Sequence, residues 1–175
     1  MATTLAYIAS LCTRKYTSSA NAKNDVACQE FYDSSYNYVG IISFPGLNLA
    51  NKVITEIWLD IDAEKAGYGV KNTKTVYLRK ANYQDDIASG VTGGQYVGDE
   101  LGTFEGAFYG NYNGYHITGP LFDAMAAYIS AGNNSFTIYN PSATASPPGY
   151  SYNFMHWASV VITITFEDVI SLPTV

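Results

Sequence analysis

Residues 53–63, VITEIWLDIDA, alternate in polarity with a period of two. Val53, Thr55, Ile57, Leu59, Ile61 and Ala63 fall on one side, and Glu56, Trp58, Asp60 and Asp62 on the other. That pattern describes a strand with one dry face and one wet face. Wound as a helix, the same apolar set would be smeared around the cylinder instead of forming a stripe. The stretch therefore predicts a central strand of an antiparallel sheet. Trp58, opposite Ile57 and Leu59, is either an exposed anchor for a partner or covered by a further layer, with residues 122–129 the favoured cover.

Shorter segments repeat the theme. Val39–Phe44, Thr75–Lys80, Ser135–Tyr139 and the β-branched Ser159–Glu167 read as strands, with Thr4–Leu11 opening the sheet and Phe154–Trp157 as a further short one. Pro45-Gly46 supplies a turn. Residues 120–131 predict one short helix. Pro120 suits its first turn, Phe122, Met125, Ala126 and Ile129 share a face, and Gly132-Asn133 close the end. Between residues 82 and 113 glycine recurs every few positions. This predicts long loops with brief strands near Gln95–Val97 and Glu105–Tyr109. No GK[ST] and no GxGxxG accompanies these glycines, so a nucleotide site has no support. Many short strands with one helix predict an all-β, antiparallel β-sandwich, a single domain over residues 1–175.

Composition narrows the function. Hydrophobic residues make up 47% and charged residues only 14%, which excludes an intrinsically disordered chain. The net charge of −6 argues against nucleic acid, which demands Lys and Arg facing phosphates. All nine basic residues lie between Arg14 and Lys80, while residues 81–175 hold eight acids. That asymmetry reads as a solvated acidic surface, or as a patch for a basic partner or a cation. The N-terminal MATTLAYIASLCTRKY has no basic n-region, and no run approaches a membrane span, so neither a signal peptide nor membrane insertion is expected. Without a secretory signal, Cys12 and Cys28 are expected as two thiols rather than a disulfide.

Catalysis has thin support. His116 (GYHITG) and His156 (FMHW) sit beside strand-like residues and read as satisfied, partly buried imidazoles. No GxSxG, HExxH or Cys–His signature is present. Asp60 and Asp62 share a strand face about 7 Å apart, a spacing a glycosidase carboxylate pair would tolerate. The expectation is a protein that is not an enzyme and needs no cofactor. Binding is better represented among the sixteen tyrosines. Tyr109, Tyr112 and Tyr115 interleave with Asn111 and Asn113 in FYGNYNGYH, and Tyr150 and Tyr152 recur before Asn153. Flat rings among amides match the apolar faces and hydroxyls of a sugar; the alternative is rings packing a sandwich edge and asparagines making turns. Asp99 and Glu100 offer hard oxygen ligands for calcium, though without the D-x-D-x-D-G spacing.

The order of segments resembles the jelly-roll domains of the disaggregatase-related repeat type, akin to carbohydrate-binding modules. Ile41–Leu47 (IISFPGL), Val53–Ile61 (VITEIWLDI), Phe122–Ile138 (FDAMAAYISAGNNSFTI) and Val160–Phe166 (VVITITF) carry the likeness, from about Tyr38 to Phe166. The chain departs from that pattern where a small alanine is replaced by Glu56 or Ile57, and where Asn133–Asn134 stand for a glycine after the helix. The resemblance implies a jelly-roll β-sandwich and leaves the ligand open. A Tyr/Gly/Asn-rich, β-built chain without a leader is also similar in style to structural proteins of tailed bacteriophages. That likeness implies a virion component, in capsid decoration, tail or host contact, assembled in the host cytoplasm. Its partners would be other virion proteins or copies of itself, and a host cell-surface glycan. A free-standing carbohydrate-binding module and a glycan-degrading enzyme are the alternatives.

Overall fold

A computed structural model describes residues 1–23, 27–29, 38–66, 74–84, 90–106, 110–141 and 155–169. Its strands are β1 (Thr3–Ile8), β2 (Ser10–Lys15), β3 (Asn21–Lys23), β4 (Ala27–Gln29), β5 (Tyr38–Ser43), β6 (Lys52–Ala66), β7 (Lys74–Ala81), β8 (Val97–Gly106), β9 (Gly110–Ile117), β10 (Ser135–Ile138) and β11 (Met155–Asp168). Helix α1 (Gly93–Tyr96) is a single turn, and α2 (Gly119–Ser130) is the expected helix.

Two antiparallel sheets result. The five-stranded sheet runs β1-β11-β6-β9, with β4 also beside β11, and the six-stranded sheet runs β3-β2-β5-β10-β7-β8. From β5 onward the chain crosses between sheets at nearly every connection, so β11 inserts between β1 and β6, and β10 between β5 and β7. This is jelly-roll connectivity. The stretch 53–63 is central, as predicted, flanked by β11 and β9.

Its alternation is interrupted, however. Thr165 pairs with Glu56 and Phe166 with Ile54, leaving Thr55 as an extra, bulged residue. The bulge moves the inward face from odd to even positions, so Ile54 is buried while Val53 is 50% exposed. Beyond it Ile57, Leu59, Ile61 and Ala63 point inward as expected. They meet Val160, Ile162 and Ile164 from β11 and Leu11, Ile42, Val76, Leu78, Phe136 and Ile138 from the other sheet in one core.

The middle of the six-stranded sheet is buried on both sides. β5 and β10 have no exposed residue, which accounts for the near absence of polar side chains in Val39–Phe44, where the buried Ser43 hydroxyl is satisfied by that of Ser135 at 2.9 Å. Residues 90–97 cover the outer side, with Val91, Tyr96 and Val97 packed around Cys12, Val39 and Ile41. Among the described residues between 82 and 113, the expected long loops give way to this cover, to α1 in place of a strand near Gln95–Val97, to the ten-residue β8 and to the start of β9. Residues 107–109 of the strand expected near Glu105–Tyr109 lie outside the described residues. Gly93 and Gly94 permit the approach. A Cβ on Gly93 would lie 2.5 Å from the Lys15 carbonyl oxygen, and one on Gly94 would lie 2.9 Å from the Tyr16 ring. Arg14, buried beneath the cover, donates to the Val91 carbonyl at 2.9 Å and to the Tyr96 hydroxyl at 3.1 Å.

Helix α2 packs against β6 and β8 and so bridges the two sheets. Leu121, Met125, Tyr128 and Ile129 form its buried stripe, with Phe122 and Ala126 at the margin. Gly132, at φ +90°, ends it by donating to the Ile129 carbonyl at 2.8 Å. The helix does not cover Trp58, contrary to the favoured expectation. No helix among the described residues is long and apolar enough to cross a membrane.

Candidate functional site

The face of the five-stranded sheet that points away from the core is assembled by register. One row across it reads Ala6, Thr163, Trp58, His116; the next reads Ile8, Val161, Asp60; a third reads Thr4, Thr165, Glu56. Because strand side chains alternate, each row lies one residue out of step with the core rows. Trp58, Asp60, Asp62, Val161, Thr163 and Thr165 are half-buried by their neighbours, whereas Ile8, Glu56, His116 and Ser159 are exposed.

Trp58 and His116 dominate this face. Their rings stack with centroids 4.0 Å apart and planes 9° from parallel. His116 is thus exposed and stacked rather than the partly buried imidazole expected; the side chain of His156 lies outside the described residues. Two short networks brace the surroundings. Thr4 donates to Thr165 at 3.0 Å, which donates to Glu56 at 3.3 Å. Asp60 accepts the Gly114 N–H. Between Leu59–Tyr115 and Ile61–Tyr112 the strand β9 carries one extra residue, and Gly114 sits there at φ +74°. Asp60 satisfies the amide that this bulge releases from the ladder. The carboxyl groups of Asp60 and Asp62 share the face, but Asp60 is engaged in holding backbone.

The residues singled out from the sequence are distributed differently. Tyr109, Tyr150 and Tyr152 lie outside the described residues. Asn111, Tyr112 and Asn113 belong to β9, where Asn111 is in register with Asp62 and Tyr112 with Ile61. This segment is a strand at the sheet margin and not a loop. Tyr115 is half-buried and packs on the core with its ring 5.2 Å from Phe104.

Asp99 and Glu100 sit on β8, each beside a base of β7. Lys80 Nζ approaches Asp99 at 3.3 Å, and Arg79 Nη1 approaches Glu100 at 3.6 Å. The acidic second half of the chain thus meets part of the basic first half across this strand pair. Among the described residues, no three His, Cys, Asp or Glu side chains gather as a metal site would require. Glu100 and Lys80 also border an open groove of about 590 Å³ between β8 and α2, floored by Leu101, Ala124, Ala127 and Ala131.

The Trp58–His116 pair escaped the sequence reading because the two residues are 58 positions apart in number and meet only through the β6–β9 register. The outward direction of Trp58 was legible from the alternation. Its partner was not. No protein-family model matches the chain, and no curated protein matches it.

Proposed function

We propose that this chain is a non-enzymatic structural protein of a tailed-bacteriophage virion, and that the outer face of its five-stranded sheet is a contact surface. The observation that carries the reading is the Trp58–His116 stack on that face. A half-buried Trp held rigid by a neighbouring ring loses little side-chain freedom on being covered, which is what an interface anchor needs. Ile8 and Val161 extend the apolar area on one side, and Glu56, Asp60 and Asp62 form an acidic surround. A face of this kind suits a neighbouring virion subunit that offers an apolar groove with a basic rim. The virion context is analogy, resting on the jelly-roll fold and the Tyr/Gly/Asn-rich composition.

A free-standing carbohydrate-binding module is the second reading, and the same pair favours it. An aromatic platform beside carboxylates and Thr163 can stack on the C–H face of a sugar and accept its hydroxyls. Mass spectrometry of particles made from the genome that carries this gene separates the two. The virion reading expects the protein in the particles at a fixed copy number, with Trp58→Ala lowering its incorporation at least tenfold. Absence from particles, together with oligosaccharide binding that Trp58→Ala abolishes, would replace it with the module.

A further inference from the structure

The margins of the two sheets are not equally guarded. A free strand edge exposes alternate N–H and C=O groups and invites another strand unless charge, a bulge or shortness prevents it. On the six-stranded sheet, β3 is only three residues long, and β8 carries the exposed acids Asp99, Glu100 and Glu105. On the five-stranded sheet, β9 is bulged at Gly114. β1 has none of these devices. Its six residues, TTLAYI, contain no charge, proline or glycine, and they pair with β11 from Thr3–Phe166 to Ile8–Val161 without a register shift. Among the described residues no strand lies on its other side.

Exposed apolar surface collects at the same margin. The exposed large hydrophobic side chains among the described residues are Met1, Leu5, Ile8, Val53 and Val169. Leu5 (43% exposed) and Ile8 (72%) lie on β1, and Val169 follows the end of β11 beside the start of β1. Leu5 is opposite Ile164, on the core side of the sheet, and stays exposed because the sheet stops there.

We infer that β1 pairs antiparallel with β1 of a second copy, joining two five-stranded sheets into one continuous sheet about a two-fold axis. The choice of a second copy follows from the self-complementarity of an uncharged, unbulged strand, and charge decides where two copies can touch. Two chains of net charge −6 repel, so their least costly contact is an acid-free one, and β1 is such a strand. The charges nearest its start are engaged in part: Asp168 is paired with Lys52, and Glu56 accepts from Thr165, leaving Glu167 on β11. A two-fold contact also requires a self-complementary patch, which an uncharged antiparallel strand provides. Side-chain alternation limits the register. Core-facing residues must oppose core-facing residues, and of the registers this allows, those that set Leu5 against Leu5 or Tyr7 of the other copy let each cover the other's exposed apolar surface.

The pairing uses the edge of β1, whose Thr4, Ala6 and Ile8 also border the sheet face proposed above, so Trp58→Ala serves as the control that tells the two contacts apart. In sedimentation velocity at micromolar concentration, the full chain is expected at twice its 19.0 kDa mass. The double variant Thr4→Lys/Ala6→Lys puts lysines opposite one another in either of those registers and is expected at the single-chain mass with an unchanged circular dichroism spectrum. Thr103→Lys, on the β8 margin, and Trp58→Ala are expected to leave the dimer intact. A monomeric wild-type chain, a dimer that survives the double variant, or a dimer lost in Trp58→Ala would each overturn the pairing. Should the double variant not fold, amide exchange on the wild-type chain decides. The outward amides of β1 are expected to be protected, and rapid exchange at those amides refutes the inference.

Discussion

The hydroxyl of Tyr128 offers the sharpest test of how the helix is fastened to the sandwich. It accepts from the Ala81 N–H at 3.1 Å and from Gln84 Nε2 at 2.9 Å, and it lies 3.0 Å from the Ser135 carbonyl and 3.1 Å from that of Ala81, donating to one of them. Gln84 completes the junction. Its Oε1 accepts from the Asn134 and Ser135 amides, and Nε2 also donates to the Ala81 carbonyl at 2.7 Å. Tyr128→Phe keeps the ring and its edge-on contact with Phe136 at 5.4 Å, so the change isolates the hydroxyl. The Ala81 N–H is left buried without its acceptor, which costs about 1–3 kcal/mol. We expect a loss of about 2 kcal/mol in urea denaturation with an unchanged m-value, and a fall in Tm of roughly 4–8 °C for a chain of this length. Coupling to Gln84→Met in a double-mutant cycle should be about 1 kcal/mol. A loss below about 0.5 kcal/mol would refute the reasoning, since it would mean water satisfies these groups when the hydroxyl is gone.

Gly93→Ala should destabilise by about 2 kcal/mol, because its Cβ meets a backbone carbonyl that cannot turn aside. Gly46→Ala, at φ +81° with open space around it, should cost only about 1 kcal/mol in the same thermal melts. Burial pushes the phenols of Tyr7 and Tyr128 and the thiol of Cys12 upward, the last partly opposed by Arg14. The folded chain then holds these protons after the unfolded chain has released them. Stability is therefore full below the ordinary thiol and phenol range, roughly pH 8.5–10, and falls as pH rises through it. Urea midpoints that stay flat from pH 8 to about 11 would contradict this. Trp157 is buried in the core while Trp58 lies on the open face, so acrylamide should quench Trp58 alone. The emission remaining in Trp58→Phe should be blue-shifted and resistant to quencher; quenching that persists there would show Trp157 to be accessible.

Local pattern made much of this molecule legible. A period of two marked β6, β7 and the outer half of β11, and the helix announced itself by Pro120, its apolar stripe and Gly132. These signals succeed because each is written within one element, in the geometry of a strand or of a helical turn. The segment 90–106 misled for the opposite reason. Its glycines read as loop chemistry, whereas Gly93 and Gly94 serve a close approach to Lys15 and Tyr16, and nothing in the segment itself names the surface it covers. Bulges are similarly silent: Thr55 shifts the inward face of β6, and only the pairing with β11 shows it.

The site divides along the same line. Alternation by itself set Trp58, Asp60 and Asp62 on the face away from Ile57 and Leu59. That His116 would stack on Trp58, that Asp60 would be occupied by Gly114, and that β1 would end as an uncovered uncharged margin all depended on which strands became neighbours and in what register. Hydrogen bonds between strands far apart in the chain have no local signature, so polarity along the sequence determined the faces, and tertiary pairing decided what shares them.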